Sequence, residues 1–214
     1  MNSSRLKLYI GADFISAFAM SAFVGLKEKQ LSFELVSVDL KSGENYQSAY
    51  RDLSLTCKIP TLVHENFALS ESSAIVEYLD EIAPGHPKLL PQNIHHRARA
   101  RQLQAWLRSD LLVIRKERPA DLIYFGPRDT PLSPDARSAV QRLLFVAQTL
   151  LKTGSEYLFD EWCIADIDLA IMLNRLLANG DPLPERLAEY VRRQWQRDSV
   201  QAWLDQPRVA PLQA

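Results

Sequence analysis

Lys58-Ile59-Pro60-Thr61-Leu62-Val63 and, one turn later, Phe67-Ala68-Leu69-Ser70-Glu71-Ser72-Ser73-Ala74-Ile75-Val76-Glu77-Tyr78-Leu79 decide the architecture of this chain. Ile59–Val63 and Phe67–Leu69 are short apolar runs, and Glu65-Asn66 between them predicts a hairpin turn. Pro60 lacks a backbone donor, so it belongs at a strand start or edge. A cis bond there would turn the Ile59 backbone towards the N-terminus of the first helix. Ser70–Ser73 then introduces the helical pattern Ala74–Leu79, which Pro84-Gly85 terminates. Upstream, Leu6–Ile10 alternates like a strand and Gly11 closes it. Met20, Phe23, Val24 and Lys27 mark a helix over Ser16–Glu28, and Ser32–Leu40 returns to a strand. The opening is therefore β-α-β followed by β-β-α, an α+β module of about eighty residues.

Downstream the chain reads as helix throughout. Ile94–Glu117 carries Leu103, Trp106, Leu107, Leu111 and Ile114 on one stripe and Arg97, Arg101, Arg108 and Arg115 on another, a pattern that predicts one long helix with a solvated arginine face. Ser133-Pro134-Asp135 supplies an N-cap serine, a proline at the first helical position and an acid in the first turn. Further helices are predicted over Ile164–Asn179, Glu185–Gln196 and Val200–Asp205. The expected organisation is a first domain over 1–84 and an all-helical second domain over 91–214.

The 214 residues include 25 basic and 26 acidic side chains, for a net charge of −1. That balance argues against nucleic acid as a partner. Cys57 and Cys163 are far apart and form no CxxC pair, which points to a reducing cytoplasm, and the four histidines have no metal-ligand spacing, so no metal is assigned. The apolar run Phe14–Leu26 is broken by Ser16 and Ser21 and is too short to cross a membrane.

The strand and helix order resembles the thioredoxin-like fold. Val38-Asp39-Leu40, Lys58-Ile59-Pro60 and Glu71-Ser72-Ser73-Ala74-Ile75, at their spacing in this chain, resemble the glutathione-binding half of the cytosolic glutathione transferases, in particular theta-like bacterial members of the serine type. The resemblance implies a soluble cytoplasmic homodimer, used in detoxification. It would take glutathione as co-substrate and act on an electrophilic small molecule or a hydroperoxide. A glutathione-dependent peroxidase, an isomerase and a non-catalytic glutathione-binding module are the other readings of the same resemblance. A glutaredoxin-type reductase is disfavoured because Ser16 stands where that chemistry needs cysteine.

Carried onto this chain, the resemblance assigns Ser16 the catalytic position and Asn45, Lys58, Ile59, Glu71 and Ser72 the glutathione contacts. The assignments are physically apt. Ser72 at a helix N-terminus offers an N–H, a hydroxyl and the positive dipole end to the γ-glutamyl carboxylate. Glu71 can take the ammonium, the Ile59 backbone can pair with the cysteinyl part as an added strand, and Lys58 or Asn45 can take the glycyl carboxylate. The nucleophile is the glutathione thiol, and Ser16 would act as a hydrogen-bond donor to its thiolate. A thiol of pKa about 8.5 is roughly 3% ionised at pH 7, and a two-unit depression, about 2.7 kcal/mol, raises that to roughly 75%. The chain departs from the family pattern in having Ala17 after the serine, where proline is frequent, and Ser54-Leu55-Thr56-Cys57 in place of Asn-Pro-x-Gly. Cys163 also stands where a hydroxyl caps the later helix, which leaves Asp166 to reach back to the Cys163 N–H.

Overall fold

The computed structural model describes residues 6–208, which divide into two compact units. Of these residues, the first unit holds 6–89 together with 198–208, and the second holds Leu90–Arg197.

In the first unit, β1 (Leu6–Gly11), α1 (Ala17–Glu28), β2 (Phe33–Val38), a 3₁₀ turn (Glu44–Tyr46), α2 (Ser48–Arg51), β3 (Thr61–His64), β4 (Phe67–Ser70) and α3 (Ser72–Ile82) follow one another. The strands form one sheet in the order β2-β1-β3-β4, with β1 parallel to β2 and the other pairs antiparallel. Leu6, Leu8 and Ile10 alternate into the core as the pattern predicts, and Glu65 takes the left-handed conformation that closes the β3–β4 hairpin. Helices α1 and α3 pack on each other, and Gly25 lets them approach. A Cβ there would stand 3.3 Å from Leu89 Cδ1 and 3.5 Å from Val76 Cγ2. The buried Lys29 Nζ at the end of α1 lies 2.9 Å from Asp80 Oδ1 on α3.

The last helix, α10 (Asp198–Leu204), packs on α1. Trp203 is fully buried, with ring centroids 5.3 Å from Phe23 and 5.7 Å from Phe14, and the Arg208 guanidinium donates to the carbonyls of Trp203 and Phe14. These contacts gather residues 198–208 with the first unit. Burial of one large aromatic ring outweighs sequence proximity, and periodicity carries no record of which core a helix joins.

The second unit contains α4 (Ile94–Ser109), α5 (Leu112–Glu117), α6 (Leu122–Phe125), α7 (Pro134–Leu150), α8 (Ile164–Ala178) and α9 (Glu185–Trp195). Every residue of α8 from Ile164 to Leu176 is buried, and α4, α6 and α9 pack around it. Asp168 on α8 accepts from Gln104 Nε2 at 2.7 Å and pairs with Arg108. Asp166 accepts from the Cys163 N–H (2.9 Å), the Leu158 N–H (2.8 Å) and Tyr190 Oη (2.9 Å), so the carboxylate leg of the cap is in place. Burial raises its carboxyl to about 6 against those three donors. Ser133 caps α7 by accepting from the Ala136 N–H at 3.1 Å.

The single helix predicted over Ile94–Glu117 is broken between Ser109 and Leu112, and Arg115 stabilises the break. Its guanidinium donates to the Leu107 carbonyl at 2.6 Å and the Arg108 carbonyl at 2.8 Å, satisfying acceptors that the break would leave orphaned. The arginine stripe is solvated only in part: Arg101 is exposed, whereas Arg108 and Arg115 are half-buried and hydrogen-bonded within the unit.

Candidate active site

The sheet register places every candidate residue at one end of the first unit. Tyr9 on β1 pairs with Thr61 on β3, which pairs with Ser70 on β4, while Gly11 pairs with Val38 at the end of β2. Four segments therefore meet at this edge: the β1–α1 loop with Ser16, the long connection after β2 with Asn45, the approach to β3 with Lys58 and Ile59, and the β4–α3 junction with Glu71 and Ser72. Loops beyond the carboxyl ends of parallel strands, joined by two helix N-termini, are a favoured place for small anionic ligands.

Ser16 is the N-cap of α1. Its Oγ accepts from the Ala19 N–H at 3.3 Å, and its hydroxyl proton has no acceptor among the described residues. Capping uses a lone pair, so one hydroxyl can cap the helix and still donate outward. The preceding Phe14 has φ 54°, a left-handed turn that brings the chain from the strand end to the helix.

The Ile59–Pro60 peptide is cis, and neither the N–H nor the C=O of Ile59 has a hydrogen-bond partner among the described residues. The side chain lies over the end of β1, where a Cβ added to Gly11 would stand 3.8 Å from Ile59 Cδ1. Lys58 is exposed, while its carbonyl accepts from three hydroxyls. Asn45 is buried, and its Nδ2 donates to the Cys57 carbonyl at 2.9 Å, tying the 3₁₀ turn to the approach to β3. Cys57 is a free thiol in a left-handed backbone position (φ 53°).

Glu71 is exposed and adopts φ 73°, ψ 112°, a conformation that L residues rarely take, and its carbonyl starts α3 by accepting from the Ile75 N–H at 2.9 Å. A non-glycine residue held there costs about 1–3 kcal/mol, the kind of strain that clusters at functional sites. Ser72, the first residue of α3, is buried at the helix N-terminus.

Sequence reasoning missed Tyr50, Ser54 and Thr61, three hydroxyls on the Lys58 carbonyl, and Ser70, which links Ser54 to Thr61. Burial raises the Tyr50 phenol above its ordinary range. Their signal in the sequence is three small hydroxyl residues flanking an apolar hairpin, one of them facing inward from a strand start. Among the described residues, no group of three His, Cys, Asp or Glu could hold a metal ion, and no helix is long and apolar enough to cross a membrane.

A mixed sheet ordered β2-β1-β3-β4, with a cis-proline opening β3 and polar loops at the end of β1, defines the thioredoxin-like class. A family profile for glutathione S-transferase N-terminal domains matches residues 15–82, and one for the C-terminal domains matches 93–207. The chain belongs to the glutathione S-transferase family. A glutathione transferase homolog from Burkholderia, crystallised with bound glutathione, is 48% identical, with 94% of this chain and 96% of that one covered and a TM-score of 0.79. A zeta-class glutathione S-transferase of Euphorbia esula is 29% identical over 201 residues, 88% of this chain and 86% of that protein. Glutathione S-transferase Z1 of Arabidopsis thaliana is 33% identical over 97 residues, 45% of this chain and 43% of that protein, so that match spans less than half of the plant protein.

Proposed function

We propose that this chain is a glutathione transferase whose Ser16 stabilises the glutathione thiolate for attack on an electrophilic small molecule. The observation that carries this reading is the Ser16 hydroxyl, which caps α1 with a lone pair and keeps its proton for a ligand at the same sheet edge as the unpaired Ile59 backbone. The likeness to the glutathione-bound Burkholderia protein supports glutathione as the ligand.

In this reading Ile59 receives the cysteinyl backbone as an added strand and places the thiol near the start of α1. Glu71 takes the γ-glutamyl ammonium and Ser72, with the α3 N-terminus, its carboxylate. Lys58 and Asn45 serve the glycyl end, Lys58 with its exposed ammonium and Asn45 by holding the Cys57 carbonyl while its buried Oδ1 stays unpartnered among the described residues. The thiolate then displaces a leaving group from the acceptor, or adds to it, and the thiol proton passes to solvent. We take the protein to work as a homodimer in the cytoplasm, in keeping with two free cysteines, and to divide functionally into residues 1–84 and 91–214.

Conjugation of glutathione to 1-chloro-2,4-dinitrobenzene tests the proposal. Ser16→Ala should lower kcat/KM at pH 7 by up to about 25-fold, the fall in thiolate from roughly 75% to roughly 3% that loss of a two-unit thiol shift implies. Equal rates for native and variant protein would overturn it.

A further inference from the structure

Five oxygens behind the Ile59 backbone close a ring. The Lys58 carbonyl lies 2.8 Å from Tyr50 Oη, 3.1 Å from Ser54 Oγ and 3.1 Å from Thr61 Oγ1, all three placed to donate to it. Ser54 Oγ lies 2.8 Å from Ser70 Oγ, Ser70 Oγ 2.9 Å from Thr61 Oγ1, and Thr61 Oγ1 2.9 Å from Tyr50 Oη. The carbonyl has no proton to give, so the four hydroxyl protons can fill at most four of these contacts at once, and deleting any one hydroxyl opens the ring at two edges. Tyr50, Ser54 and Thr61 are 4%, 0% and 0% exposed, so each was taken out of water to make these bonds.

The members come from four places, Tyr50 on α2, Ser54 in the following loop, Thr61 at the start of β3 and Ser70 at the end of β4; the first three reach one carbonyl, and Ser70 links Ser54 to Thr61 behind it. From the other side Asn45 Nδ2 holds the Cys57 carbonyl at 2.9 Å. Two consecutive carbonyls are thus fixed immediately before the residue whose own N–H and C=O are unpaired among the described residues. An apolar set of the same volume would hold the hairpin to α2 without the desolvation cost, whereas a closed polar network specifies one geometry.

We infer that the Tyr50–Ser54–Thr61–Ser70 ring is a positioning device for glutathione, with Tyr50 and Thr61 as positioning residues that fix the Lys58–Ile59 peptide so that the Ile59 backbone meets the cysteinyl part of the ligand in register. This rests on the glutathione reading above. None of the four touches the thiol, so the ring acts on binding and leaves the chemical step alone.

The test is a set of three variants, Tyr50→Phe, Thr61→Val and Thr61→Ser, measured by calorimetric titration with glutathione, by kcat and KM with 1-chloro-2,4-dinitrobenzene, and by thermal unfolding. Tyr50→Phe and Thr61→Val should each weaken glutathione binding and raise its KM by about 5–10-fold, the worth of one or two hydrogen bonds, with kcat at saturating glutathione within about twofold of native. Thr61→Ser keeps the hydroxyl and should bind within about twofold of native even though it loses a buried methyl and melts lower. Native-like affinity in both deletion variants, a fall in kcat matching the loss of affinity, or failure of Thr61→Ser to restore binding would each overturn the inference. No uptake of glutathione by the native chain would overturn it together with the function it rests on, whereas native uptake with unaffected variants would overturn the ring's role alone.

Discussion

Replacing Asp80 by asparagine should destabilise the first unit by an amount set by the buried Lys29. The Lys29 side chain is 0% exposed, with Nζ 2.9 Å from Asp80 Oδ1. At that distance and an effective dielectric of about 20, the attraction is about 6 kcal/mol, most of which offsets the removal of both charges from water. The carboxamide oxygen of the asparagine can still accept the Leu89 N–H, which Asp80 now accepts at 3.0 Å on Oδ1 and 3.2 Å on Oδ2, so the substitution chiefly removes the counter-charge. An ammonium left buried without its partner costs about 3–5 kcal/mol, which for a chain of this length lowers Tm by about 10 °C. Lys29→Met removes the fully buried charge and keeps the packing, and Asp80, 13% exposed, still accepts the Leu89 N–H, so this change should cost less than Asp80→Asn. The double variant should therefore be more stable than Asp80→Asn alone. Urea and thermal unfolding of the four proteins at pH 7, followed by far-ultraviolet circular dichroism, decides the matter. A loss below about 1 kcal/mol for Asp80→Asn, or a double variant less stable than that single one, would refute the reasoning.

Three further outcomes are expected. Because burial raises the Asp166 carboxyl to about 6, the folded state holds a proton that the unfolded chain has lost between about pH 4 and 6, so this group's contribution to stability grows as pH falls through that window. Urea titrations across it should show a native-minus-Asp166→Asn difference that changes with pH in that direction, and a constant difference would contradict it. Ser133→Ala removes the α7 cap and the 2.6 Å bond to Glu117, and should cost about 1–2 kcal/mol by chemical denaturation, more than an exposed cap would. Glu71→Gly relieves the positive φ and removes the carboxylate, so it should leave stability unchanged or raise it by about 1 kcal/mol while calorimetry shows glutathione binding at least about tenfold weaker.

What the sequence disclosed was local. The alternation of Leu6–Ile10, the turn at Glu65-Asn66 and the Ser133-Pro134-Asp135 cap each act within a few residues, and each appears where it was predicted. The placement of Ile59, Glu71 and Ser72 at one sheet edge was legible because two strand runs joined by a tight turn fix their own register. Features that depend on a distant partner were hidden. The break before Leu112 is stabilised by a guanidinium a few residues further along the chain, and the turns at Glu44–Tyr46, Ser48–Arg51 and Leu122–Phe125 are too short to show a period. Trp203 read as part of a C-terminal helix and is buried in the first unit's core. The hydroxyl ring was the least visible, because its four side chains come from four elements and no spacing between them repeats. Asn45 was noted as a ligand contact, while its bond to the Cys57 carbonyl depends on a loop twelve residues away.

The central claim, that Ser16 donates to a glutathione thiolate, is tested most directly by the ultraviolet difference absorbance of bound glutathione as a function of pH, for the native chain and for Ser16→Ala. The account predicts that native protein ionises the bound thiol about two units below its free value, and that Ser16→Ala returns it towards that value. Bound glutathione with an unshifted thiol in the native protein, or an equally depressed thiol in the variant, would contradict it.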